Sequence, residues 1–439
     1  MSGSSFCVHP DIATRYGSVR QQTLDLCRPL TAEDMMVQSC PEASPTKWHL
    51  AHTAWFFESF VLKEFLPDYL LFNTEYPWLF NSYYRSFAAF PEKRLRASFS
   101  RPGLDEVLCY REHVDAGIER LLSADPPAEA LRRIELGLNH EEQHQELLLT
   151  DILNAFYTNP LKPAYLENET KAEFATETAE QSFQEFAGGL CEVGHQGDCF
   201  CYDNEEPRHR VWVEPFALAR RLATCGEFAE FIAEGGYVRP ELWLSDGWDA
   251  VERNRWRAPL YWSLDPKGDE QSWKICTLRG EFQLQQIANL PVSHVSFFEA
   301  DAFARWAGKR LATELEWEVA SEGQPVAGNL LDSGLLHPAE AGLDAKTNLS
   351  QLFGDCWEWT SSAYLGYPGY QAPGGALGEY NGKFMSGQMV LRGGSCVTPE
   401  AHIRASYRNF FAPETRWQFS GIRLAKASGT MGRRIQSKP

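Results

Sequence analysis

The stretch "GLNHEEQHQELLLTD", residues 137–151, decides how the first third of the chain is read. Its apolar residues recur at helical spacing, and His140 and His144 stand four apart. On an α-helix, residues four apart are separated by about 40° around the axis and about 6 Å along it, so both imidazoles can reach one ion. The same pair set among Glu141, Glu142, Gln145 and Glu146 also fits a solvated, charged turn, and spacing alone does not choose.

A second histidine cluster shifts the balance. In "SPTKWHLAHTAWFFESF", residues 44–60, His52 shares a helix face with Trp48, Trp55 and Phe56, which belongs in a bundle core. A core histidine opposite HxxxH on a neighbouring helix is how helical bundles build metal sites. Three neutral imidazoles leave open positions on an ion such as iron or zinc. His49 points about 60° away from His52 and is the weaker candidate. Glu141 or Glu142 stands as an alternative third ligand, in a two-histidine, one-carboxylate set.

Working outward, helical spacing marks segments near 12–28, 46–65, 103–123 and 127–158, the last with Pro127 at its start. The spacing predicts a four-helix bundle over 10–165, with an aromatic and polar crossover from about 66 to 102. Loops of that length inside a compact domain are often functional. Residues 166–182 are polar and acidic and read as a linker. From 183 to 427 the texture changes to short apolar runs rich in Gly and Trp, the pattern of short strands and long loops. Within it, 298–320 reads as two short helices split at Gly308–Thr313, and the tail 428–439 reads as disordered. The expected class is α+β, with two domains in 439 residues.

Composition excludes several functions. A net charge of -18 repels phosphate backbones, so a nucleic-acid partner is not expected. No apolar run approaches the length of a membrane span. The start "MSGSSFCVHPD" lacks the apolar core of a secretory signal, which predicts a cytoplasmic protein. Of 11 cysteines only Cys199 and Cys201 are close in sequence, so reduced thiols are expected.

With these residues in view, "KWHLAHTAWFFE" (47–58) and "NHEEQHQELLLTD" (139–151) resemble the DinB-like domain of the ergothioneine-pathway sulfoxide synthases. "PVSHVSFFEADAFARWAGKRLATELEWEVAS", "GDCWEWTSS", "LRGGSC" and "FSGIRLA" resemble the domain of formylglycine-generating enzymes, a C-type-lectin-like fold. The two together, in this order, are more specific than either alone, and the resemblance spans roughly residues 10–427. It implies a non-haem iron(II) enzyme that uses O2 to join a cysteine sulfur to C2 of the imidazole of hercynine (Nα-trimethylhistidine), leaving a sulfoxide. It implies His52, His140 and His144 as ligands and Gln143 as a hercynine contact. Asn409, Phe410 and Phe411 would line the betaine pocket, where aromatic faces suit a quaternary ammonium.

One branch of that family carries its catalytic Tyr in the second domain, and another carries two consecutive Tyr in the crossover. "NSYYRSF" resembles the latter and implies Tyr83 and Tyr84 as the proton donors. The γ-glutamylcysteine-using branch has two Arg three apart in the crossover. Here Ser86, Phe87 and Ala88 follow Arg85, which raises free cysteine as the sulfur donor. Arg404 and Arg408 are candidates for a substrate carboxylate, or for structural ion pairs. A formylglycine-generating activity needs a cysteine pair shortly after "GGS", and this chain has Cys396 alone. An ovothiol-type synthase usually carries an added methyltransferase domain, which has no room after 427. A metal-binding stress protein without catalysis would need the histidines but neither the Tyr pair nor Gln143.

Overall fold

The computed structural model describes residues 11–167, 180–264, 272–342 and 348–428. Two compact units divide the chain. The α+β class is observed, with a helical first unit and a strand-rich second one.

The helical unit is built on α1 (Ile12–Cys27), α2 (Thr46–Phe57), α3 (Leu104–Leu122) and α4 (Ala128–Thr158). α2 packs on α3 and α4, and α1 packs on α4. All twelve residues of α2 are buried, which is why its sequence is apolar around most of its circumference. Pro45 and Pro127 stand just before the first turns of α2 and α4, where a missing N–H costs nothing. One glycine makes room for a ring of the neighbouring helix. A Cβ added at Gly137 would collide with the ring of Phe57, with Cζ 2.9 Å away, so the buried Phe57 ring packs directly on the α4 backbone where any side chain would displace it. That contact is one turn from His140.

α2 runs on through a π-helical turn, Glu58–Leu62. The buried Glu58 carboxylate there accepts from Tyr69 Oη at 2.9 Å, from the Phe72 amide at 3.1 Å and from Tyr110 Oη at 2.8 Å. It ties the start of the crossover to α3. Two stretches from much later in the sequence, Gln196–Cys201 and Ala372–Lys383, also belong to this unit.

In the second unit, Phe216–Ala219 pairs antiparallel with Phe183–Phe186 and with Leu424–Ala427, which pairs with Arg310–Leu311. Met389–Arg392 lies between Trp357–Ala363 and Asn409–Phe411, antiparallel to both. Helices Phe297–Trp306 and Glu314–Ser321 flank the break read at Gly308–Thr313. Trp357 and Trp359, of the "CWEWTSS" segment, are fully buried, and Trp359 Nε1 donates to Val295 O at 2.9 Å. They pack the fold. Residues 429–439 of the expected tail and residues 168–179 of the expected linker lie outside the described residues, while Ser428, the first residue of that tail, is buried and its Oγ donates to Glu185. Among the described residues, no helix is long and apolar enough to cross a membrane.

Candidate metal centre

His52 on α2 faces His140 and His144 on α4. Their ligand atoms lie within 4.8 Å of one another. The ring centroids are 5.0 Å (His52–His140), 4.8 Å (His52–His144) and 4.6 Å (His140–His144) apart. His52 and His140 are buried and His144 half-buried. Burial is the main cause that drives all three below the usual histidine pKa, His140 to about 3, so the rings are neutral with lone pairs to offer.

The surroundings orient His52. Its Nδ1 lies 2.6 Å from Phe80 O, which only accepts, so Nδ1 carries the hydrogen and Nε2 is bare. That Nε2 is buried without a hydrogen-bond partner, as is His140 Nδ1. The ring is held between Trp48 (4.4 Å, 16°) and Trp55 (5.1 Å, 14°), and the Arg96 guanidinium lies 3.4 Å over Trp48. An orphaned buried nitrogen among neutral imidazoles is what a borderline divalent ion completes, so the residues fit a metal.

The carboxylate alternatives are committed elsewhere. Glu141 takes Arg20 at 2.9 Å, Arg111 at 2.8 Å and Thr23 Oγ1 at 2.7 Å. Burial pushes its carboxyl up, but the two guanidiniums outweigh this and hold it at about 2. Glu142 takes Arg15 at 3.0 Å. His49 contacts His144, with Nδ1 atoms 2.7 Å apart.

Next to the histidines, Tyr380 Oη donates to Gln143 Oε1, and the Tyr380 ring is 5.8 Å from that of His140. Tyr380 arrives on the Ala372–Lys383 strap. The strap is fastened to the crossover. Glu379 accepts from the amides of Arg85 (3.1 Å) and Ser86 (2.8 Å) and from Ser86 Oγ, and Lys383 Nζ donates to Tyr83 O. Asn81 shapes the crossover locally, accepting from the Tyr84 amide and donating to Tyr84 O, both at 3.1 Å. Tyr83 and Tyr84 stack at 4.5 Å, and Tyr83 Oη donates to Tyr84 Oη at 3.4 Å. Burial pushes the fully buried Tyr84 hydroxyl well above its usual pKa, with Tyr83 and Tyr380 adding to the effect.

The sequence reading named His52, His140, His144, Gln143, Tyr83 and Tyr84, and all six belong to this unit. It did not find Tyr380, Glu379 or Lys383, which no local pattern marks. Asn409, Phe410 and Phe411 form a strand of the second unit, where Phe410 stacks on Tyr364 at 4.0 Å and Phe411 meets Trp417 edge-on at 5.8 Å. Arg404 is paired with Glu205, and Arg408 with Glu314 at 2.8 Å. Both guanidiniums are engaged as ion pairs inside that unit.

Comparison with known proteins bears on the whole chain. Residues 15–148 match the model of the DinB superfamily, and residues 170–346 and 331–428 match the sulfatase-modifying factor enzyme 1-like domain. The hercynine oxygenase of Mycolicibacterium smegmatis is 30% identical, over 94% of this chain and 98% of that protein. The hercynine oxygenase of Mycobacterium tuberculosis is 34% identical over 51% of this chain and 55% of its own length. A formylglycine-generating enzyme of Thermomonospora curvata is 32% identical, over 33% of this chain and 52% of its own length. A match along nearly the full length of both proteins, with both domains in order, means that the chain belongs to the hercynine oxygenase family of oxidoreductases, the sulfoxide synthases of ergothioneine biosynthesis.

Proposed function

We propose that the protein is an iron(II)- and O2-dependent sulfoxide synthase that couples free cysteine to C2 of hercynine, giving hercynyl-cysteine sulfoxide. The observation that carries this is the buried, partnerless Nε2 of His52 facing His140 and His144, with Gln143 and Tyr380 beside them. The reaction balances without a further reductant. Hercynine C2–H, the cysteine S–H and O2 give the C–S(=O) linkage and one water, with O2 taking four electrons from C–S bond formation and sulfur oxidation.

His52, His140 and His144 would hold the iron, which when bound supplies the one-electron chemistry that lets O2 react with closed-shell thiol and imidazole. The chain's own residues do the rest. Gln143 gives its carbonyl to Tyr380, so its amide hydrogens are what it presents to the hercynine imidazole. Tyr83, Tyr84 and Tyr380 supply hydroxyl protons where oxygen is reduced. Tyr84, kept protonated by burial, holds its proton at neutral pH. Phe410 and Phe411, with Asn409, would receive the trimethylammonium group. Free cysteine is favoured as donor because the crossover lacks the paired Arg of the γ-glutamyl-using branch. A reducing, cytoplasmic setting suits the cysteines, which are free thiols throughout the described residues.

The test is anaerobic reconstitution with iron(II), then hercynine, O2 and either thiol, with mass spectrometry of the product. Coupled product from free cysteine is the expected result. Product from γ-glutamylcysteine alone keeps the reaction and replaces the donor. No coupled product from either thiol, with iron bound, sinks the reading. Tyr83→Phe, Tyr84→Phe and Tyr380→Phe assign the proton donor. Its loss should cut sulfoxide formation by about 10²-fold or more, with thiol oxidation persisting.

A further inference from the structure

Behind His144 stand a second histidine and a carboxylate that the ligand set does not use. His49 Nδ1 is 2.7 Å from His144 Nδ1, and His49 Nε2 is 3.2 Å from Asp151 Oδ2. His49 and Asp151 are both buried, at 2% and 6% exposure. The backbone amide of Ser44 donates to the same Asp151 Oδ2 at 2.7 Å.

The hydrogens in this chain follow from which atoms only give and which only take. A backbone N–H only donates, so Asp151 Oδ2 is an acceptor. His49 Nε2 therefore carries a hydrogen and donates it to Asp151. A neutral His49 then has a bare lone pair at Nδ1. The 2.7 Å contact between the two Nδ1 atoms needs one hydrogen, and His144 supplies it. His144 is left with its lone pair at Nε2, the same tautomer that Phe80 O imposes on His52. The placement is a matter of helix register. Asp151 lies two turns beyond His144 on one face of α4, and His49 lies one turn before His52 on α2.

We propose that His49 and Asp151 are positioning residues, a two-step relay that locks His144 in the tautomer presenting Nε2 to the ion and makes it the most electron-rich of the three ligands. The inference rests on the reading of the triad as a metal site. Partners of this kind typically contribute 10- to 100-fold in metal affinity.

The experiment is a Co(II) titration of metal-free wild type, His49→Phe, His49→Asn and Asp151→Asn under anaerobic conditions, reading affinity and the d–d spectrum. His49→Phe should bind about 10- to 100-fold more weakly, with a shifted spectrum. His49→Asn, whose side-chain carbonyl accepts a hydrogen near the old Nδ1 position, should recover most of the loss. Asp151→Asn should bind several-fold more weakly. Wild-type affinity and spectrum in both His49→Phe and Asp151→Asn would overturn the relay. So would equal losses in His49→Phe and His49→Asn that track a lower melting temperature. If circular dichroism shows His49→Phe unfolded, Asp151→Asn decides alone. A wild type that binds neither Co(II) nor Fe(II) fails the metal reading itself, an outcome distinct from failure of the relay.

Discussion

Two faces of α4 bury polar groups one residue apart and treat them in opposite ways. Glu141 faces α1 and α3 and is saturated by Arg20, Arg111 and Thr23. His140 faces α2, and its Nδ1 is buried with no partner at all. The first arrangement is what folding demands of a buried charge. The second costs stability unless something outside the chain completes it. The contrast separates a residue that holds the bundle together from one that waits for a ligand.

The sharpest way to break the comparison is Glu141→Gln. It leaves Arg20 and Arg111 buried against a neutral amide, and loss of one partner from a buried pair costs about 3–5 kcal/mol. Denaturant unfolding should show that loss, while the protein that remains folded keeps its metal. Next is Gly137→Ala, which forces a methyl against the Phe57 ring and should cost about 1–3 kcal/mol. It should also weaken Co(II) binding with every ligand intact, because α2 and α4 move apart.

A smaller effect comes from the buried hydroxyls. Burial, the largest cause in each case, raises Tyr16, Tyr84 and Tyr110 well above their usual pKa. A raised folded pKa means that the contribution is fully present below the unfolded value near 10 and is lost as pH rises beyond it. Stability should be insensitive to these groups from pH 7 to 9. Above pH 10 it should fall by up to about 1.4 kcal/mol per pH unit for each tyrosine. Tyrosinate absorbance near 295 nm should lag behind that of free tyrosine until the protein unfolds. The smallest stability effect belongs to His52, one of the three proposed ligands. His52→Phe should abolish metal binding yet change the stability of the metal-free protein by about 1 kcal/mol or less, since it removes an orphaned nitrogen along with the bond to Phe80. A cost as large as that of Glu141→Gln would erase the distinction between the two faces.

The legible part of the molecule is the part written in local periods. The spacings near 12–28, 103–123 and 127–158 correspond to α1, α3 and α4 within a residue or so, because a buried stripe at 3.6-residue spacing leaves few other choices. His140 and His144 were legible for the same reason, and His52 because a histidine among Trp48, Trp55 and Phe56 is conspicuous. His49 looked marginal because helix geometry turns it away from His52. Its use lies in that offset, which aims it at His144. Tyr380 and Glu379 were not legible, since their partners Gln143 and Ser86 lie more than two hundred residues away in sequence, and no period links them.

The strap also imposes an order in time. The helical segment up to Tyr165 leaves the ribosome first, and the strap follows roughly 200 residues later. At about 5–20 residues per second that is an interval of about 10 to 40 s. During it the histidine cluster can form with Gln143 uncapped and the crossover unfastened. Chain order alone therefore delays completion of the site until residues 372–383 have been made, and a product truncated before them would carry the histidine cluster without Tyr380.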